Sequence, residues 1–174
     1  MAGKFPIATP RLIIREVKIA DGGQILTAMA CPEIAAMHSG GLNDISAVRS
    51  YIEVLLREYR DGRFRTLVIA EKTSDELCGT ITIDMHGIIP RAELSYWISA
   101  PYRNRGYATE AVKAAIGYGF LQLSLLRIQA THAVDNPASG RVLEKAGMIF
   151  EGILRQYFGT SDVKMYAIVK SDIE

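Results

Sequence analysis

The chain of 174 residues has two cysteines, one tryptophan and no long apolar run. Cys31 and Cys78 form no Cys-x-x-Cys pair and no His-Glu-x-x-His stretch occurs, so the common zinc-ligand spacings are missing and no metal is expected. Two cysteines without a disulfide framework fit a reducing compartment, and the expected location is cytoplasmic. No apolar run reaches the roughly 18 residues of a membrane span, and Met1–Pro10 has no continuous apolar core of a leader. Charge of one sign is also missing, since 20 Lys+Arg against 19 Asp+Glu leave a net charge of +1. That balance provides no basic field for nucleic acid or an anionic membrane, and neither is an expected partner. Any anion must be held by a local group of donors. No repeat, low-complexity tract or Pro/Ser-rich linker divides the sequence, and residues 1–174 read as one domain.

What is present is a regular alternation of elements. Arg11–Val17 reads as a strand and Ile19–Ala30 as a helix. Cys31–Asn43, with a proline and the Gly40-Gly41 pair, reads as a loop broken by helical turns. Asp44 can cap a helix running to Arg60, along which Val48, Ile52, Leu55, Leu56 and Tyr59 recur at helical steps. Thr66–Glu71 and Cys78–Met85 are strands joined by the turn Thr73–Glu76. Ala92–Ser99 is the fourth strand, with Leu94, Tyr96 and Ile98 alternating against Glu93, Ser95 and Trp97. Tyr107–Leu123 is a helix in which Gly117 and Gly119 each cost up to about 1 kcal/mol against alanine, a loss that close packing on a sheet would offset. Leu126–Val134 is the fifth strand. Pro137–Ala146 is a short helix with Asn136 or Asp135 as N-cap and Gly147 as C-cap. Met148–Arg155 and Asp162–Val169 pair as a terminal hairpin. The fold class is therefore α/β, a mixed sheet with helices on both faces. His132 reads as a satisfied core histidine, His86 beside Gly87 as a turn residue, His38 as a loop residue, and Phe150 and Phe158 as core.

The chemistry concentrates between the fourth strand and the long helix, in Ala100-Pro-Tyr-Arg-Asn-Arg-Gly-Tyr-Ala-Thr-Glu110. Successive backbone N–H groups at a helix N-terminus make an anion nest, strengthened by the helix dipole. Gly106 lets a phosphate approach the backbone, Arg103 and Arg105 add charge, and Thr109 adds a hydroxyl. Neither the P-loop nor the dinucleotide-binding glycine pattern is present. A solvated basic loop is the plainer alternative.

Arg103-Asn-Arg-Gly-Tyr-Ala108 resembles the Gln/Arg-x-x-Gly-x-Gly/Ala pyrophosphate loop of the GNAT superfamily of N-acetyltransferases. The resemblance extends to Thr9-Pro-Arg-Leu-Ile-Ile-Arg15, Ala92-Glu-Leu-Ser-Tyr-Trp-Ile98, Asp135-Asn-Pro-Ala-Ser-Gly-Arg-Val-Leu-Glu-Lys-Ala-Gly147 and Glu151-Gly-Ile-Leu-Arg155. These segments are similar to the subgroup containing the ribosomal-protein N-terminal acetyltransferases. Ser95 and Met148 depart from its pattern, where glycine and phenylalanine are common.

The resemblance implies a mostly antiparallel sheet whose fourth and fifth strands splay apart, and acetyl-CoA as cosubstrate. It implies direct attack of a primary amine on the thioester, most often an N-terminal α-amine. Polyamine or antibiotic acceptors, or a non-catalytic acyl-CoA-binding module, are the alternatives. Trp97, Ile98 and Ser99 would face the pantetheine arm, and Arg103, Asn104, Arg105, Gly106, Tyr107, Ala108 and Thr109 the pyrophosphate. Asn136 and Ser139 would complete the cofactor site. Direct transfer needs a base for the amine, a donor for the oxyanion and a proton for the thiolate. Glu93 is the candidate base, Ser139 the candidate acid and Tyr157 a rival donor. A homodimer is the expected assembly.

Overall fold

Strand β3 (Phe64–Glu71) explains why the sheet lies inside the molecule. Its residues from Arg65 to Ala70 are all buried, so neither of its faces meets water. Alternation sorts them: Leu67 and Ile69 belong to one apolar cluster, Val68 and Ala70 to another. A strand buried on both faces needs cover on both. The computed structural model describes residues 6–38, 41–61, 64–85 and 89–173, so Gly40, His86 and Gly87 lie outside the described residues.

The other strands are β1 (Ile7–Ala8), β2 (Leu12–Glu16), β4 (Leu77–Met85), β5 (Arg91–Ile98), β6 (Arg127–Ala133), β7 (Ile149–Phe158) and β8 (Ser161–Val169). They form one sheet in the order β1-β2-β3-β4-β5-β6-β8-β7. Only the β5–β6 pair is parallel among these neighbours. Helices α1 (Gly22–Ala28), α2 (Pro32–Ala35) and α3 (Ile45–Asp61) cover one face, where Val48, Ile52 and Leu55 meet Val68 and Trp97. Helices α4 (Tyr107–Gln122) and α5 (Pro137–Lys145) cover the other, where Ala111, Val112 and Ala115 join Leu12, Ile81 and Leu94. The expected α/β arrangement stands.

Local chemistry sets the helix ends. Asp44 Oδ1 accepts from the backbone N–H of Ser46 and Ala47, both at 2.8 Å, and starts α3. Asn136 caps α5 by accepting from Ser139 N–H at 3.2 Å, which settles the choice between Asn136 and Asp135. Within α4 the two glycines differ. A Cβ on Gly119 would lie 2.6 Å from Ile128 Cδ1, whereas one on Gly117 would meet nothing within 4 Å. The packing argument therefore holds for Gly119 alone.

Three further differences from the sequence reading have physical causes. Strand β1 is only two residues long and pairs Ile7 with Ile14, too short to leave a periodicity. The segment read as one helix from Ile19 opens with a 3₁₀ turn, Ile19–Asp21, before α1. Phe150 and Phe158 are 49% and 63% exposed rather than core residues. They sit on β7, which ends the sheet and whose register with β8 shifts twice, so no element lies beyond to bury them.

The decisive feature for function is the β5–β6 junction. These strands pair only at Arg91 with Arg127, Ala92 with Ile128 and Glu93 with Gln129. Both then continue, β5 to Ile98 and β6 to Ala133, without pairing with each other. The sheet opens into a V whose apex is Glu93.

Candidate functional site

One wall of the V leads into the loop before α4. Gly106 adopts φ +79°, and α4 starts there with no side-chain cap. The amides of Tyr107, Ala108 and Thr109 open the helix with no capping side chain, the arrangement that binds an anion. Asn104 is also left-handed, at φ +61°. The loop is braced from behind by Arg11, which donates to Glu110 Oε2 at 2.7 Å and to the Arg105 carbonyl at 2.8 Å. A Cβ on Gly106 would lie 3.3 Å from that guanidinium. Burial pushes the Glu110 carboxyl up, but Thr9 and Arg11 donate to it and hold it below its usual range. Arg103 donates to the Ile98 carbonyl at 3.0 Å and to Cys31 Sγ at 3.2 Å, tying the loop to β5. Arg105 stacks its guanidinium 5.6 Å from the Tyr102 ring centre. The Tyr107 side chain is buried and donates to Glu71 at 2.7 Å, so its backbone alone serves the loop. These donors fit a pyrophosphate.

Alternation decides which backbone groups line the V. Ser99 N–H donates to the Cys78 carbonyl at 2.8 Å, so Ser99 and, two residues back, Trp97 turn their amide groups toward β4. Tyr96 and Ile98 are left with theirs on the open edge, where the Ile98 carbonyl already accepts from Arg103 and the Ile98 N–H and the Tyr96 amide groups could pair with an extended pantetheine arm as an added strand. Of the three residues expected here, Ile98 has this orientation.

Side chains from both faces converge on the same gap. Tyr96 projects to the α4–α5 face, where its hydroxyl lies 2.9 Å from Ser139 Oγ in the first turn of α5. Burial pushes the Tyr96 phenol up to about 12, so it stays protonated at neutral pH. Glu93 projects to the opposite face, accepting from Thr131 Oγ1 at 3.2 Å and Gln129 Nε2 at 3.4 Å across the V. Asn136 spends its carbonyl oxygen on the α5 cap, leaving its amide N–H₂ for a ligand. Tyr157 is not brought to this group. It lies on β7, two strands away from the V, 43% exposed and packed on Phe158. His132 is buried as expected but only half satisfied: Nδ1 lies 2.8 Å from the Ala133 carbonyl, and Nε2 has no partner.

On the α1–α3 face, beside Glu93, an open cavity of about 110 Å³ reaches down to the sheet. Its floor carries Thr66, Thr80, Thr82 and Ser95, and His38 and Tyr51 stand over it. Thr66 and Thr82 hydroxyls lie 2.9 Å apart. Among the described residues, no Asp or Glu lines the cavity. The register sets Asp84 opposite Glu93, two positions from Thr82 and Ser95 on the same face, so two carboxylates flank one end. Sequence reasoning missed Tyr96, Arg11 and His38. Tyr96 has the signal of a polar ring tip on an otherwise apolar strand face. Arg11 and His38 have none, because their partners lie far away in the chain or on another element.

A family model described as an acetyltransferase (GNAT) domain matches residues 11–149. YoaA of Bacillus subtilis, an uncharacterized N-acetyltransferase, is 34% identical over 177 residues, covering 95% of this chain and 98% of its own. The spermidine N(1)-acetyltransferase of Vibrio cholerae is 28% identical over 124 residues, covering 68% of this chain and 71% of that one. Mycobacterium smegmatis RimJ, solved in complex with CoA-disulfide, has the same fold with a TM-score of 0.81 at 26% identity, over 93% of this chain and 83% of that chain.

Proposed function

The chain belongs to the GNAT acetyltransferase family and is an acetyl-CoA-dependent N-acetyltransferase, and on that premise we propose that its acceptor is the α-amine of a polypeptide N-terminus. The observation that carries this reading is the cavity beside the V, which is floored by hydroxyls and lined by no carboxylate. A chain of cationic amines would desolvate its distal charges among hydroxyls, with carboxylates only at the Asp84–Glu93 end, whereas a neutral residue behind one reacting amine meets hydroxyl partners. Proton chemistry agrees. An α-amine near pKa 7.8 is easier to deprotonate than an alkylamine near 10.4 by about 3.5 kcal/mol.

In this reading the nest of residues 103–109 holds the pyrophosphate, and the open edge of Tyr96 and Ile98 holds the pantetheine. The bound cosubstrate supplies the activated acetyl thioester. Glu93, at the apex of the V, receives the amine proton through a water. Ser139, hydrogen-bonded to Tyr96, serves the departing thiolate from the other face.

The second reading is a polyamine acceptor, favoured by the Asp84–Glu93 pair at one end of the cavity and by similarity to the spermidine enzyme. Thiol release separates the two when acetyl-CoA is offered with N-terminal peptides, spermidine and an aminoglycoside. The expected result is a kcat/KM for a peptide at least tenfold above that for spermidine. Faster turnover of spermidine overturns the α-amine reading. Tight CoA binding with no turnover of any amine points to a non-catalytic acyl-CoA-binding module.

A further inference from the structure

Every second residue of β6 faces the α1–α3 side of the sheet, because Ile128 and Ala130 are buried in the cluster under α4 and α5. Arg127, Gln129 and Thr131 therefore share the face of Glu93, and Gln129 stands directly opposite Glu93 in the register. A chain of polar contacts runs along this face. Glu151 accepts from Arg127 Nη1 and Nη2 at 2.8 and 2.5 Å. Arg127 Nε donates to Gln129 Oε1 at 3.2 Å. Gln129 Nε2 donates onward to Glu93 Oε2 at 3.4 Å, and Thr131 Oγ1 donates to Glu93 Oε1 at 3.2 Å. Glu151 lies in the register shift between Phe150 and Gly152, and a bulge of that kind re-aims a side chain. The chain thus crosses from β7 over β8 to β6 and ends at the apex of the V.

The two neighbours of the Gln129 amide set the same orientation. A guanidinium donates and cannot accept, so the amide atom it meets is the oxygen. An ionised carboxylate only accepts, so the amide atom it meets is the nitrogen. We infer that Gln129 is a positioning residue for Glu93, kept in its donating orientation by Arg127, which Glu151 in turn holds. The inference rests on the reading of Glu93 as the base. A free glutamate side chain samples many rotamers. One donor on each carboxylate oxygen, both from the opposite arm of the V, holds this one across the gap. Those two bonds use only part of a carboxylate's acceptor capacity and leave the rest for the water that carries the amine proton. Charge alternates along the chain from Glu151 through Arg127 and the amide dipole to Glu93, so each link strengthens the next. Its first link is felt by both partners, since Arg127 holds the Glu151 carboxyl below its ordinary range. Two other charged groups stand near Glu93: Asp84 opposite it on β4, and Arg91 two residues before it on β5. Both stay in place in the variants that test the chain.

The full chain would be assayed by thiol release with acetyl-CoA and whichever of an N-terminal peptide, spermidine or an aminoglycoside it turns over fastest. Gln129→Leu should lower kcat by about 10-fold through lost orientation, with the amine KM and the CoA Kd kept. The acidic limb of its pH–rate profile should move up by about one pH unit, because a donor to the charged form is lost. Arg127→Met frees the amide to turn and should move the limb the same way by less. The Arg127 side chain is 31% exposed, so this variant reads the chain even where Gln129→Leu fails to fold. A double variant separates positioning from structure. In a Glu93→Gln background, Gln129→Leu should cost no further kcat, whereas a merely structural role adds its loss to any background. An unmoved limb in both single variants, or a fully additive loss in the double one, overturns the inference. The base reading then survives as long as Glu93→Gln alone is impaired. Full activity with an unchanged limb in Glu93→Gln removes the base and the inference together, as does turnover of none of the amines.

Discussion

Gly117 and Gly119 lie two positions apart on one helix and answer to different constraints. An alanine at 119 would press its methyl against Ile128 and Leu125, at 2.6 and 3.1 Å from their Cδ1 atoms. Overpacking of that kind costs about 1–3 kcal/mol. At 117 the space is open, and alanine removes the helix penalty of glycine, a gain of up to about 1 kcal/mol. Urea denaturation of Gly119→Ala and Gly117→Ala should therefore move the midpoint in opposite directions. The proposed roles of Glu93 and Ser139 are tested in the same spirit. Glu93→Gln should lower kcat by about 10²–10⁴-fold and move the acidic limb of the pH–rate profile, with CoA affinity kept. Ser139→Ala should lower kcat and leave the limb in place. Full activity with an unchanged limb in Glu93→Gln makes that residue structural. At this scale, whatever acts within a few residues was legible: the Asn136 cap and the Gly106 nest are local backbone chemistry. The pairing of Tyr96 with Ser139 was not, because it joins residues 43 apart. Nor was the place of His38, which only the stacked α2–α3 segment and sheet bring over the cavity.

Between elements, one ion-pair group ties the first strands together. Arg15 on β2 donates to both oxygens of Asp21 at 2.9 Å and to Asp75, in the β3–β4 turn, at 2.6 Å. The Arg15 and Asp21 side chains are 9% and 7% exposed, while Asp75 is 49% exposed. Removing one partner of a buried pair strands the other, so Asp21→Ala should cost about 3 kcal/mol and lower the melting temperature. Asp75→Ala should cost less than about 1 kcal/mol. An equal loss in both variants would show that burial does not govern this group. Acid should weaken this group and the Arg127–Glu151 pair at the other end of the sheet. Asp75 is held below its ordinary range by Lys18 and Arg15, and Glu151 by Arg127. A carboxylate depressed in the folded state stabilises above its unfolded pKa and loses that contribution as pH falls through the folded one. The urea midpoint should therefore hold near neutrality and fall below about pH 4. The long periodic elements, such as α3 with its Asp44 cap, were legible for the reason that they carry their own pattern. Strand β1 and the exposed Phe150 and Phe158 were not, since a two-residue strand has no period and edge position is a property of the whole sheet.

At the scale of the whole molecule, β7, the last strand of the sheet, carries a run of exposed large apolar side chains. Ile149, Phe150, Ile153, Tyr157 and Phe158 are each 43–63% exposed there. Strand-edge addition is disfavoured, because the register shifts between Phe150 and Gly152 and between Leu154 and Phe158 break the row of free amides. Contact with a second copy would then run through side chains, around a two-fold axis that presents β7 to itself. Half-exposed large side chains offer about 100 Å² each, or roughly 500 Å² in all, against about 800 Å² per partner in a standard stable interface. The expectation is a homodimer held at micromolar strength rather than an obligate one. Light scattering should show the mass rising from 19.2 kDa toward twice that value with concentration. Substituting Ile153 and Phe158 with lysine should keep it at the monomer mass. A constant 19.2 kDa throughout the series for the unaltered chain would refute the dimer and leave β7 a solvated edge guarded by its own bulges.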